Sequence, residues 1–360
     1  MHMNIFDDDA FSAVSMTTAL EDVDFKPDLI GSMNLFEDIP IATTDVSVER
    51  RGNTFSLIPT TPRGGPPVEG RVDGRNLRKY STVRIAKGHT MYASEIEGIR
   101  PFGQETGLET MIGYVGRYSQ RLVTDVEATW ENMMLGAVQG VVLDADGSVI
   151  IDWFAEWGIT KPAEINFALD TASTDVEQIC RDITRRMVKA SKGAMRAGSR
   201  VVGLAGDAFF DKLTKHKTIR ETYLNTQQAQ SLNRAFGVAT QSALQSGSYA
   251  TFEHGGILFI NYRGTDDFDD AAAEAGNATG TEMLGIPRNK CKFFPMASTG
   301  IFQKAFAHGE SWEYVNTVGR PLYQLMLRDR DRDFWVRPEV YSYPLYICTR
   351  PELLLTARAA

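Results

Sequence analysis

Between Leu108 and Ala137 apolar side chains recur at helical spacing, as Leu108, Met111, Ile112, Val115, Leu122, Val126, Trp130, Met133, Met134 and Ala137. About 30 residues at 1.5 Å per residue make a rod of roughly 45 Å. Its apolar stripe therefore has to be covered along its whole length by segments brought from elsewhere in the chain. Thr106-Gly107-Leu108-Glu109 has the spacing of a capping box, in which a hydroxyl and a carboxylate each satisfy an orphan amide of the first turn. Gly136 and Gly140 mark the end of the helix.

The sequence on both sides of this helix is extended. Downstream, Val141–Leu143 and Val149–Trp153 are apolar runs around Asp144-Ala145-Asp146-Gly147, a hairpin signal. The Asp144-x-Asp146-Gly147 spacing is shared with part of a calcium loop, but the other ligands and the closing Glu are missing, so a plain turn is expected. Upstream, alternating Val46/Val48 and Phe55/Leu57 face Val83/Ile85 across a polar stretch running from Pro62 to Lys79. That pattern predicts a long hairpin projecting into solvent. Residues 1–44 read as an acidic arm with one short helix near Asp9–Leu20 and breaks at Pro27, Gly31 and Pro40, a segment that needs neighbours to order it.

Residues 160–305 read as a mixed α/β unit, which makes the fold class α+β. A second capping box, Thr174 to Glu177, precedes the stripe Val176, Ile179, Cys180, Ile183 and Met187, with Lys189 and Lys192 suiting a helix C-terminus. Val201–Leu204 reads as a strand turning at Gly206 into a helix near Asp207, and Gly255–Tyr262 as a buried strand. Asp266–Gly280, rich in Asp and Ala, is expected to be an exposed loop.

Composition removes several function classes. At 360 residues and 43% hydrophobic the chain can bury a sizeable core. No run of about 18 uncharged apolar residues occurs and the N-terminus is acidic, so neither a membrane span nor a signal peptide is expected. A net charge of −8 argues against wrapping or reading nucleic acid, while remaining compatible with a container for it. Cys180, Cys291 and Cys348 are far apart and odd in number, which suits reduced thiols, and Cys180 on the apolar stripe of a helix is expected to be buried.

Catalytic, cofactor and metal sites are all expected to be absent. The glycines of Val201–Asp207 lack the Gly-Lys-Ser/Thr of a phosphate loop, and Asp207 would repel an anion there. His2, His89, His216, His254 and His308 are isolated, GxSxG is missing, and the pairs Asp266-Asp267 and Asp269-Asp270 sit in low-complexity sequence. One charged run points elsewhere. Arg328, Asp329, Arg330, Asp331, Arg332 and Asp333 alternate in sign, so an extended segment would carry arginines on one face and aspartates on the other, able to set register between neighbouring subunits. The alternative is a solvated edge strand.

Several segments together resemble the lambda-type major capsid protein E family of tailed phages, whose shell fold is named after phage Hong Kong 97. They are Pro62-Arg63-Gly64-Gly65-Pro66 in the hairpin, Arg100-Pro101-Phe102-Gly103 before the helix, and Ile151-Asp152-Trp153 with Gly158 after it. Val201–Phe210 follows, and then the closing set Asp333-Phe334, Ser342-x-Pro344-Leu345 and Pro351-Glu352. The resemblance spans nearly the whole chain. It implies an N-terminal arm over 1–44, an extended loop over 45–92, a peripheral domain holding the spine helix over 93–160 and 310–360, and an axial domain over 161–309. Residues 225–250 are longer than the family pattern.

The resemblance also implies a virion subunit that assembles with itself into hexamers and pentamers of an icosahedral shell around double-stranded DNA, without sequence-specific contact to it. Assembly would occur in the bacterial cytoplasm, with separate scaffolding, portal and decoration proteins as partners. No large N-terminal extension would serve as a built-in scaffold. Candidate inter-subunit residues are Arg63, Gly64, Gly65, Arg71, Arg75 and Arg78 of the loop and Arg328–Asp333. An encapsulin-like compartment and a soluble α/β enzyme are the alternatives.

Overall fold

The structure, a computed structural model, describes residues 29–51, 75–96, 111–196, 198–220, 249–262 and 285–360. A helical turn at Leu29–Ser32 leads to β1 (Glu37–Pro40), β2 (Asp45–Arg51), β3 (Arg75–Ser81), β4 (Ile85–Gly88) and β5 (Met91–Tyr92). The long helix α1 (Met111–Gln139) precedes β6 (Val141–Leu143), β7 (Val149–Asp152) and the short helix α2 (Trp153–Trp157). The next elements are β8 (Ile165–Asn166), α3 (Val176–Ser191), β9 (Arg200–Ala205), α4 (Asp207–Lys215), β10 (Thr251–His254) and β11 (Ile257–Asn261). The chain closes with β12 (Lys290–Met296), β13 (Phe302–Phe306), β14 (Tyr323–Arg328), β15 (Trp335–Ser342), β16 (Pro344–Cys348) and β17 (Leu355–Arg358).

The predicted helix stands over its described length of 29 residues; its expected capping box at Thr106–Glu109 lies outside the described residues, as do Asp9–Leu20, Asp266–Gly280 and most of 225–250. Three groups of neighbours cover its stripe. Met91 and Val336 meet Tyr114 and Val115 near the start. Leu122, Val126, Trp130, Met133 and Met134 join a core with Val340, Leu345, Tyr346 and the N-terminal Leu29 and Ile30. At the far end the hairpin β6–β7 folds back tightly: a Cβ on Gly136 would lie 2.8 Å from the Val141 carbonyl, and Gly140, at φ +89°, has the Phe154 ring where a side chain would go.

A six-stranded sheet runs in the order β10-β11-β9-β12-β17-β8. Side chains alternate between its faces. Val201, Ala205, Ile257, Phe259, Cys291 and Phe293 face α3 and α4, while Val202, Leu204, Leu258, Ile260 and Phe294 join the core shared with α1. Burial on both faces explains the uninterrupted apolar run Ile257–Ile260. Helix α3 starts one residue later than the capping box predicts. Asp175 is the N-cap, accepting from the Gln178 amide at 3.0 Å, and the Thr174 hydroxyl instead donates to the Ala168 carbonyl at 2.9 Å.

A four-stranded sheet combines β14-β15-β4 with β5 on β15, and a three-stranded sheet runs β1-β13-β16. Strand pairing crosses the boundary expected at residues 309/310 in both directions. β13 pairs with β16 and β1, whereas β17 lies inside the six-stranded sheet between β12 and β8. The tail of the expected arm is likewise part of the body, since Leu29, Ile30, Leu35 and Phe36 are buried within their own chain. Phe36 packs edge-on against Tyr346 at 5.4 Å.

Candidate self-assembly surfaces

The upstream hairpin exists, with a different return. β2 pairs with β3 from Asp45↔Ser81 to Arg51↔Arg75, so residues 75–79, expected in the polar turn, are strand, and Ile85 belongs to the four-stranded sheet. Half-buried Arg78 and exposed Lys79 suit a two-stranded ribbon with solvent beside it, where the apolar alternation sought in the sequence is not needed. Its root is fastened to the body. Val46, Val48 and Tyr80 are buried, and the Tyr80 ring meets Trp153 edge-on at 5.1 Å and Trp157 at 6.5 Å. Burial pushes the Tyr80 hydroxyl above its usual range, and the Glu156 carboxylate adds to the effect.

Arg78 donates to the backbone carbonyl of Glu156 and pairs with its carboxylate at 3.3 Å, with its guanidinium 5.8 Å over the Trp157 ring. That side chain is engaged with its own chain. Arg75 opens the returning strand opposite Arg51. Arg63, Gly64, Gly65 and Arg71 lie outside the described residues.

The alternating run takes a shape that the sequence did not predict. Arg328 ends β14, residues 330–332 form a turn, and Asp333 is left-handed at φ 57° before β15 begins. One Asp329 carboxylate oxygen accepts from the amides of Asp331 at 3.1 Å and Arg332 at 3.3 Å. The run is a hairpin turn and not an extended segment, so the two charged faces do not form. Asp and Asn close turns through their own side chains, and that local bonding prevails over alternation. Arg330, Asp331, Arg332 and Asp333 are exposed at the tip.

Two exposed apolar clusters went unread in the sequence. Trp312 is 98% exposed, with Val318 at 60% and Val315 at 42% in the same loop. Phe334 (59%), Tyr92 (49%) and Leu327 (45%) gather around the Arg328–Asp333 turn. Single apolar residues in loops or at the ends of short strands carry no period that sets them apart, so nothing marked these as surface groups until the tertiary structure separated them from the core.

One buried carboxylate ties three segments together. Glu131 of α1, 3% exposed, accepts from the backbone amides of Ile30 at 3.1 Å and Gly31 at 3.3 Å and from the Tyr262 hydroxyl at 3.3 Å. It thus fixes where the N-terminal segment meets the helix. Sequence reading missed it because it looks like one more polar position on a helix.

The remaining candidates among the described residues make structural contacts. A Cβ on Gly206 would lie 2.3 Å from the Pro287 carbonyl, so this glycine admits a crossing chain, which occupies the space a phosphate would need. His89 stacks on Tyr118 at 4.7 Å, and His216 is buried between Thr218 and the Thr171 carbonyl. Burial lowers the His254 pKa, with the nearby Glu177 and Asp175 opposing. The three cysteines are free and buried, and burial pushes the Cys180 thiol up to about 12. Among the described residues no group of three His, Cys, Asp or Glu could hold a metal ion, and no helix is long and apolar enough to cross a membrane. Asp144 and Asp146 cap turn amides of Ala145 and Ser148, the plain turn that was expected.

Comparison with known proteins gives a consistent result. The family model described as phage major capsid protein E matches residues 12–359. The major capsid protein of Salmonella phage Felix O1 (isolate Felix O1-VT1) is 25% identical over 359 residues, covering 97% of this chain and 96% of the relative. Among solved structures, a chain described as a prophage capsid protein (E. coli CFT073) superimposes with TM-score 0.57 at 14% identity, over 97% of this chain and 99% of that one. The mature capsid of bacteriophage PhiM1 gives 0.50 at 9% identity, over 94% and 89%.

Proposed function

The chain belongs to the phage major capsid protein E family and is the major capsid protein of a bacteriophage, and we propose that it builds the shell through the Hong Kong 97-like division of labour that its sequence resembles. It is a structural protein, part of the virion, and assembles with further copies of itself; the enzyme and encapsulin-like alternatives fall with that finding.

In this reading residues 1–28 belong to the arm and the β2–β3 hairpin is the extended loop, reaching over a neighbouring subunit. The helix α1 is the spine, with the three- and four-stranded sheets as the peripheral domain. The six-stranded sheet with α3 and α4 is the axial domain at the capsomer centre, taking β17 and giving up β13. Copies close into hexamers and pentamers around double-stranded DNA, which the net charge of −8 leaves free of specific contact. Scaffolding, portal and decoration proteins are separate chains, and assembly takes place in the host cytoplasm.

The observation that carries the loop's role is the anchoring of the hairpin's root. Tyr80, Trp153 and the Arg78–Glu156 pair fasten it to the body, which suits a segment that takes load from a neighbouring subunit. The same logic keeps Arg63, Gly64, Gly65, Arg71 and Arg75 as contacts between subunits, and Arg328–Asp333 as a solvent-facing tip able to meet a neighbour. Replacing residues 53–73 by a short Gly-Ser turn, which spares both paired strands, is expected to leave a folded, soluble subunit that forms no stable shells by negative-stain electron microscopy. Shells at undiminished yield would refute the loop's role.

A further inference from the structure

The loop at 309–320 is built rigidly and yet holds large apolar groups in water. Gly319 donates to the Ile41 carbonyl at 2.8 Å, and a Cβ there would lie 1.8 Å from the Phe306 carbonyl, so the loop is pressed against β13. The amides of Tyr314 and Val315 both donate to the Ser311 carbonyl, and the Thr317 hydroxyl to the Tyr314 carbonyl at 2.7 Å. The buried Tyr314 ring lies 4.8 Å from that of Tyr323, whose hydroxyl accepts from the Arg320 amide at 2.7 Å and donates to the Ala307 carbonyl at 3.3 Å. On this fixed frame Trp312 stands 98% exposed. A rigid loop presenting a tryptophan is preorganised for binding, because little ordering entropy remains to be lost.

The second cluster lies at the other end of the same sheet. The register pairs Leu327 with Arg337 and Trp335 with Tyr92, which sets these side chains on one face, while Met91 and Val336 turn to α1 on the other. Phe334, whose carbonyl accepts from Ala93, rims that face. β14 runs from Tyr323, beside the tryptophan loop, to Arg328, beside this patch. Six residues at roughly 3.3 Å each keep the two about 20 Å apart, so they cannot cover each other within one chain.

Resting on the shell reading, we infer that the two meet between copies: Trp312 of one subunit packs on the Tyr92, Leu327, Trp335 and Phe334 face of the next. The occupant is a second copy because two unlike surfaces at opposite ends of one sheet make a head-to-tail contact, the kind that propagates into rings and closed shells. The charge around the two clusters is mixed: Glu313 is exposed next to Trp312, and beside Phe334 the exposed Arg330 and Arg332 alternate with the exposed Asp331 and Asp333, so the apolar faces carry the contact.

The three native cysteines are buried, which allows a test by surface thiols. Trp312→Cys and Phe334→Cys chains, mixed before assembly and oxidised in air, are expected to give a covalent dimer between the two variants, while either variant alone stays monomeric on a denaturing gel. Shells from the mixture without that dimer, or a homotypic dimer of either variant, would overturn the contact and leave the shell reading standing. A scaffolding or decoration protein as the true occupant would give the first of these results. Should the cysteine variants not assemble, a double-variant cycle decides. Trp312→Ala and Phe334→Ala are each expected to cut shell yield at least tenfold, and the double variant to lose little more than either single change, because both remove the same contact. Losses that multiply in folded double-variant chains would count against the contact, and an unmodified chain that forms no shells would sink the inference and the shell reading together.

Discussion

At the scale of single residues, Lys292 carries a pH dependence. It sits on β12, its ammonium donating to the Thr356 hydroxyl at 3.3 Å, and burial first, then the neighbouring Lys161 and Lys290, lower its pKa from 10.5 to about 8. In the unfolded chain the ordinary value returns, so between pH 8 and 10.5 the unfolded state binds more protons and stability rises with pH; below pH 8 the full cost of holding the charge is present. Lys292→Met is expected to flatten that rise and to raise stability at pH 7 by about 1 kcal/mol, allowing for solvent screening. Urea denaturation at pH 7 and pH 10 checks it, and an unchanged difference between the two pH values would mean that the ammonium stays hydrated. Other residues were legible from pattern alone. Val176, Cys180, Ile183 and Met187 are buried on α3 as their spacing predicts, because a helix exposes its period in sequence. Lys292 was not, since its neighbours Lys161, Glu164 and Thr356 come from distant segments.

At the scale of elements, the helices α1, α3 and α4 and the β6–β7 hairpin were readable and the joints between elements were not. Glu131 is such a joint, holding the turn at Leu29–Ser32 through two amides. Glu131→Gln keeps the shape but offers an NH2 group where an acceptor is needed, leaving at least one amide unsatisfied at a cost of about 1–3 kcal/mol. Faster cleavage by protease between residues 29 and 44 is the expected sign, together with a lower Tm. Equal cleavage of the variant and the unmodified chain would show that the segment is held by apolar burial alone. The charged run at Arg328–Asp333 teaches the converse. Alternation implies two faces only if the backbone is extended, and Asp329 instead bonds its own following amides.

At the scale of the whole molecule, the chain is stitched across itself. The last strand, β17, lies inside the six-stranded sheet, with β12 antiparallel on one side and β8 parallel on the other. Leu355 and Ala357 are buried there, and the preceding Leu353 and Leu354 fill the shared core. Removing residues 355–360 is therefore expected to abolish cooperative thermal unfolding, because it unpairs two strands and opens a cavity between both faces of the sheet. A truncated chain with an unchanged Tm would contradict this placement.

The sequence by itself determined the α+β class, the long helix, the hairpin that follows it, the strand-turn-helix beginning at Val201, the burial of Cys180 and the family resemblance, all of which rest on short-range periodicity or on motifs kept in order along the chain. Only the tertiary structure decided that Leu29–Phe36 belongs to the body, that β17 and β13 exchange sheets, that the Arg328–Asp333 run closes a turn, and that Trp312 stands in solvent. The reason is physical. Pairing partners, burial of a lone side chain and the satisfaction of a carboxylate such as Glu131 depend on groups about a hundred residues away or more, and no local pattern encodes which distant segment will supply them.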